Sequence, residues 1–197
     1  MENKRNEYCP ANRKQWRNWL QKNHIKANHV WLIIYKKESG IPSVIYSEVV
    51  EEALCFGWID SKPNKRDEES YFLFVAPRKT KSVWSALNKK RIEKLLSENK
   101  MTAAGLAKIE AAKKDGSWTV LDKIEALEMP KALKRAFTKN KTALKNFNEF
   151  PSSVKKQNYH WIQSAKTIIT LEKRITEIIT LAEKNQRANQ WKPRPQK

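Results

Sequence analysis

The stretch Tyr46–Ser61, YSEVVEEALCFGWIDS, decides the fold, because it reads as a whole helix running straight into a strand. Ser47 is placed to accept a hydrogen bond from a first-turn N–H, and Glu48, Glu51 and Glu52 set negative charge near the positive end of the helix dipole. Val49, Val50, Ala53 and Leu54 recur at helical spacing, so one face is buried. Gly57 stands where a left-handed residue ends a helix without Cβ strain. Trp58 and Ile59 then lead into Asp60, which puts a carboxylate at a helix-to-strand corner.

Toward the N-terminus, VWLIIY (Val30–Tyr35) is β-branched and aromatic, too short for a helix and closed by Ser39-Gly40, which predicts a central strand. Before it, Trp16, Trp19, Leu20 and Asn23 fall on neighbouring turns of a helix that Pro10 can open. Pro42 cannot donate to a ladder, so Ile41–Tyr46 is a short edge strand or a loop. Toward the C-terminus, the polar turn SKPNKRDEES separates the Trp58 strand from YFLFVA (Tyr71–Ala76), and so short a connection makes the pair antiparallel. Ser82, Asn88 and Thr102 are candidate helix caps, and Asn99 a left-handed residue. Beyond Ser117 the pattern is helical only, at about 121–127, 130–139, 141–147 and 152–166, with a fresh start near Thr170. The expectation is an α+β protein. Residues 1–116 form a mixed domain with a small antiparallel or mixed sheet of three or four strands, residues 117–189 an all-helical module, and residues 190–197 a disordered basic tail.

With 40% hydrophobic residues and eight tryptophans, the 197-residue chain is globular. It contains no apolar run of the roughly 18 residues a spanning helix needs, and MENKRNEYCP has no apolar signal core, so a cytoplasmic protein without a transmembrane segment is expected. Cys9 and Cys55, the two cysteines, stand far apart and the three histidines lack metal spacing, so no metal and no cofactor is implied. The formal net charge of +19 attracts polyanions, but the basic excess runs the length of the chain, which suits a solvated surface as well as a binding stripe.

The chain resembles the YdeI/OmpD-associated proteins, also labelled bacteriocin-protection proteins. The resemblance rests on Trp31-Leu32, Tyr35-Lys36-Lys37, Tyr46, EEALCFGWID (Glu51–Asp60), Asp67, Pro77-Arg78, Ser82-Val83-Trp84-Ser85, Asn88, Arg91 and Met101. It continues through Tyr159, Trp161, Ala165-Lys166, Thr170 and Lys173-Arg174-Ile175. Ser61-Lys62 and Leu171 depart from the family's usual glycine and arginine. The resemblance implies association with porins or resistance to antimicrobial proteins, and supplies no reaction.

Polar residues set among core aromatics mark a candidate ligand site: Lys36, Asp60, Arg78, Ser82, Trp84, Ser85 and Asn88. In one reading Arg78 and Lys36 bind an anion, Trp84 stacks on it and Asp60 orients it or accepts a proton. In the other, Asp60 pairs with Arg78 while Ser82 and Asn88 only cap helices. Cys55, between Leu54 and Phe56, reads as a buried hydrophobe ahead of a nucleophile, the tryptophans as core ahead of stacking platforms, and His160 beside Trp161 is the histidine to watch. A denser basic segment carries Lys131, Lys134, Arg135, Lys139, Lys141, Lys145, Lys155 and Lys156 against the single acid Glu149, a surface for weak, non-specific polyanion binding. These readings converge on a non-enzymatic binding or stress-protection protein with an anionic small molecule or an acidic protein as partner. The alternatives are an enzyme or sensor for a small anion at Asp60, Arg78 and Trp84, and non-specific nucleic-acid binding by the helical module.

Overall fold

Asn12, rather than Pro10, starts the first helix, α1 (Arg13–Asn23), its side chain accepting from Gln15 N at 3.0 Å. Pro10 lies outside the helix, and its carbonyl accepts from Val44 N at 3.1 Å. The structure is a computed structural model that describes residues 6–190; the expected basic tail past Gln190 lies outside the described residues. The chain divides into two compact units, Met1–Val120 and Leu121–Lys197.

In the first unit the β-branched and aromatic run Val30–Tyr35 becomes strand β2 as expected, with Val30, Leu32 and Ile34 buried and the residues between them half-buried. Around it stand β1 (Glu7–Tyr8), β3 (Trp58–Asp60), β4 (Asn64–Lys65) and β5 (Ser70–Pro77). The sheet is mixed: β1 runs parallel to β2, while β5 pairs antiparallel with β2, β3 and β4. It has five strands where three or four were expected. The two additional pairings, β1 and β4, are two residues long and carry no periodicity of their own. Ile41–Ile45 is a loop, reached through a 3₁₀ turn at Lys37–Ser39.

Helix α2 (Tyr46–Cys55) begins one residue before Ser47, which therefore does not cap it. Glu48 instead reaches back to accept from Ile45 N at 3.4 Å. Val49, Val50, Ala53 and Leu54 enter the core, and Trp16 ties α1 to α2 by donating Nε1–H to Val49 O at 3.1 Å. Helix α3 (Ala86–Ser97) is capped by Ser85, so Asn88 lies inside it and Ser82 in the loop before it. Asn99 follows α3 at φ +52°, the left-handed position expected of it, and Thr102 caps α4 (Ala103–Lys114).

The corner between α2 and β3 is held by close backbone approach. Gly57 turns the chain at φ +73°, and a Cβ there would stand 2.7 Å from Lys108 Cγ and 3.0 Å from Ala104 O. Opposite it, a Cβ on Gly105 would stand 2.3 Å from Cys55 O. That carbonyl accepts from Thr102 N (3.1 Å) and Thr102 Oγ1 (2.7 Å), which pins the start of α4 to the end of α2.

The second unit holds α5 (Asp122–Glu125), α6 (Lys131–Phe137), α7 (Lys141–Glu149), α8 (Ser152–Gln163) and α9 (Ile168–Glu183) around Leu133, Phe137, Phe147, Tyr159, Ile178 and Ala182. The last helix starts from Thr167, whose Oγ1 accepts from Thr170 N at 3.2 Å; Thr170, the expected cap, lies in its first turn. Among the described residues no strand follows β5.

Gly105→Ala forces a methyl group into a backbone carbonyl and is expected to cost about 3 kcal/mol, measured by urea unfolding. Gly116→Ala is the control: its φ is +79° but nothing lies within 4 Å, so only the left-handed penalty of about 1 kcal/mol applies. Equal losses in the two variants would show that the α2–α4 contact is not tight.

Candidate functional site

Arg78 follows the last residue of β5, and its backbone N–H donates to Gly57 O at 2.9 Å, so the α2–β3 corner fixes where the side chain starts. The residue is 4% exposed, and the guanidinium carbon lies 3.6 Å from the centroid of the Trp84 ring. Nη2 donates to Val83 O, while Nε and Nη1 are buried with no protein partner. Burial without a carboxylate pulls the guanidinium down to about 10, against a weaker upward field from Asp60.

Asp60 and Arg78 do not form an ion pair. Asp60 is half-buried and accepts from Tyr46 Oη at 2.7 Å. Burial first, and that carboxylate second, push the Tyr46 phenol up to about 12. Trp84 is covered by the Arg78 guanidinium and by Trp118, with ring centroids 5.1 Å apart. Of the other residues singled out in sequence, Ser82 joins Arg78 and Trp84 around a small cavity that Lys81, Lys108, Asp115 and Ser117 also line. Ser85 and Asn88 do not line it: Ser85 Oγ accepts from Asn88 N at 3.3 Å, and Asn88 Oδ1 accepts from Arg91 Nη1 at 2.9 Å. Lys36 stands at the far end of β2, exposed, donating Nζ–H to Glu68 O at 2.6 Å. The seven residues are thus spread over four places, with Arg78, Ser82 and Trp84 together at one of them.

A second charged constellation joins α1 to α2. Glu52, 2% exposed, accepts from Arg13 Nε and from Arg17 Nη1, each at 2.6 Å. Glu51 accepts from Arg13 Nη1 at 2.8 Å and from Lys94 Nζ at 3.2 Å. Glu51 and Glu52, read with Glu48 as helix-dipole residues, are therefore buried ion-pair partners, and their partners lie 35 or more positions away in sequence, where no spacing rule links them. Cys55 is buried beneath this cluster, and burial, with Glu52 nearby, pushes its thiol up to about 11. That thiol is no nucleophile at neutral pH.

In the second unit, α6 and α9 flank a groove of about 600 Å³. Its floor is apolar, from Ala132, Ala136, Leu171, Ile175 and Ile179, and Arg135 and Lys139 stand on its rim with Glu172. Ile168, 73% exposed, lines its mouth, beside Ile169 at 80%. Lys131, Lys134, Arg135, Lys139, Lys141 and Lys145 are all exposed. Lys155 and Lys156 are used internally, donating to Asn148 O and to the Glu125 carboxylate, each at 2.7 Å. His160 and Trp161 line a smaller cavity of about 330 Å³.

Residues 8–108, just over half of the chain, match a family model described as a domain of unknown function, DUF8412. The chain belongs to that family. Residues 126–185 match the model described as Bacteriocin-protection, YdeI or OmpD-Associated, so the resemblance is shown by the helices of the second unit. The EALCFGWID string that carried much of it lies within the DUF8412 match. No curated protein and no solved structure matches the chain. Among the described residues of this DUF8412 protein, no helix is long and apolar enough to cross a membrane, and no three His, Cys, Asp or Glu residues are placed to hold a metal.

Removing a partner from a buried pair leaves an uncompensated charge, so Glu52→Gln is expected to cost about 3 kcal/mol in urea unfolding. Burial raises the Glu51 carboxyl, but Lys94 and Arg13 outweigh it and hold the group below its ordinary 4.5. A folded-state value below the unfolded one gives stability that is complete above 4.5 and is lost as pH falls through the folded value. Glu51→Gln should therefore flatten the fall of Tm between about pH 5 and 3. An unchanged slope would remove Glu51 from the account of acid sensitivity.

Proposed function

We propose that this DUF8412 protein is a non-enzymatic binding protein whose YdeI/OmpD-associated unit holds an acidic, amphipathic helix of another protein in the α6–α9 groove. The observation that carries the reading is the pairing of an apolar floor with a cationic rim in one groove of about 600 Å³. Leu171, Ile175 and Ile179 recur at the spacing of one helix face, and such a face takes the apolar stripe of a partner helix laid along it. Arg135 and Lys139 then select acidic residues flanking that stripe. A nucleic-acid backbone meets the rim but leaves the apolar floor uncovered, so the floor favours a protein segment. The family's description speaks of bacteriocin protection and of association with OmpD, and a docking groove is what an association requires.

Lys131, Lys134, Lys141 and Lys145 do not line the groove and form no ion pair among the described residues. They support a second, weaker activity, salt-sensitive and sequence-independent attraction of polyanions.

The test uses a labelled amphipathic peptide with a Leu/Ile stripe and flanking glutamates, titrated by fluorescence anisotropy. Ile175→Asp should weaken binding at least about tenfold at any salt, the loss of one buried anchor. Arg135→Glu with Lys139→Glu should weaken it chiefly at low salt. Binding that ignores Ile175→Asp but vanishes as salt rises from about 50 to 200 mM would reduce the unit to its polyanion surface.

A further inference from the structure

The cavity beside Arg78 contains buried hydrogen-bonding capacity that the protein does not use. Arg78 offers Nε–H and Nη1–H, both buried without a partner, and Ser117 Oγ, in a residue 4% exposed, is buried facing the Asp115 carboxylate without a geometrically complete hydrogen bond. Both residues line the same space of about 40 Å³, together with Lys81 and Lys108. Leaving a buried polar group unpaired costs about 1–3 kcal/mol, more when it is charged, so a coincidence of such groups in one cavity calls for an occupant. Space of this size holds about three waters at ~10–15 Å³ each, or one tetrahedral oxyanion.

Charge separates the two occupants. Four cations, Arg78, Lys79, Lys81 and Lys108, line the space, and water neutralises none of them. Asp115 is the acid in the lining, and its carboxylate is already engaged: Oδ1 accepts from Ser117 N at 2.9 Å and Oδ2 from Lys81 N at 3.2 Å. Its contacts position Ser117 and the Lys79–Ser82 turn at the cavity. The turn itself is strained, since Lys81 adopts φ +59°, a left-handed conformation that a residue with a Cβ visits at a cost. Trp84 holds the guanidinium plane by stacking, and the Val83 carbonyl holds Nη2, so Nε and Nη1 are fixed in place before any ligand arrives.

We infer that this cavity is a binding site for a tetrahedral oxyanion of the phosphate or sulfate type, held by Nε and Nη1 of Arg78, Ser117 Oγ and the ammonium groups of Lys81 and Lys108. Asp60, grouped with Arg78 in the sequence reading, does not line it, and Ser117 takes its place. The anion is either free or the terminal group of a small monoester whose remainder extends outward. The site lies wholly in the first unit and does not depend on the groove reading for the second.

The full chain is titrated with inorganic phosphate, and separately with glycerol phosphate, against sodium chloride at matched ionic strength, reading Tm. A saturable rise with phosphate that chloride does not reproduce is expected. A rise with phosphate alone identifies the free ion, and an equal or larger rise with the monoester identifies an esterified group. Ser117→Ala is the decisive variant. It deletes a buried hydroxyl that faces Asp115 without a complete hydrogen bond, so the ligand-free Tm should change little, while the phosphate-induced rise should shrink at least tenfold in apparent affinity. Arg78→Lys should remove the rise, and if that variant unfolds, the Ser117→Ala result stands alone. Arg135→Glu with Lys139→Glu, in the other unit, should leave the rise intact. A phosphate effect matched by chloride, or equal in Ser117→Ala and the native chain, would overturn the site.

Discussion

The carbonyl of Cys55 accepts both the N–H and the hydroxyl of Thr102, and the first turn of α4 can sit against it because Gly105 has no side chain. Across the same contact Gly57 lies beneath Lys108 and Ala104. The placement of the sheet follows, since β3 begins at the next residue and pairs with β5. The position of Arg78 follows as well, because its N–H is bonded to Gly57 O, and so does that of Lys108, which lies over Gly57 and lines the cavity. One backbone contact therefore sets the geometry of a helix pair, a strand and a cationic site.

The first unit uses guanidinium groups in two different ways. Arg13 and Arg17 are half-buried and meet carboxylates head-on, Arg17 also donating to Lys100 O at 3.0 Å. Such pairs lock α1 to α2 in register, and they offer a ligand little because their acceptors are internal. Arg78 is buried against an indole and a carbonyl, which shape it without neutralising it. The difference between a structural and a receptive arginine here is whether a carboxylate is within reach.

Local signals were legible where one residue type had one geometric use. The β-branched, aromatic strand Val30–Tyr35, the left-handed Gly57 and Asn99, and the Thr102 cap all stand as read, because steric and hydrogen-bond preferences of the chain itself decide them. Where several capping residues crowd together, the chain alone does not choose: the helices start from Thr167 rather than Thr170, Ser85 rather than Asn88, and Asn12 rather than Pro10. The two-residue strands β1 and β4 exist only through their partners. Arg78, Ser82 and Trp84 could be picked out as polar and aromatic neighbours in sequence. Ser117 could not, because it reaches them only through the fold, and its signal is a buried hydroxyl visible in three dimensions alone.

At its left-handed positions the chain mostly uses residues that tolerate them: Gly40, Gly57, Gly116, Asn99, Asn185 and Asn189. Lys81 and Leu127 are the exceptions. At Lys81 the amine can be separated from the backbone it sits on, since glycine or asparagine there relaxes the turn while taking a cation away. Consensus-style stabilisation of this protein would choose that replacement early. It would yield a hardier molecule with a weakened cavity, a trade between robustness and recognition located at a single codon.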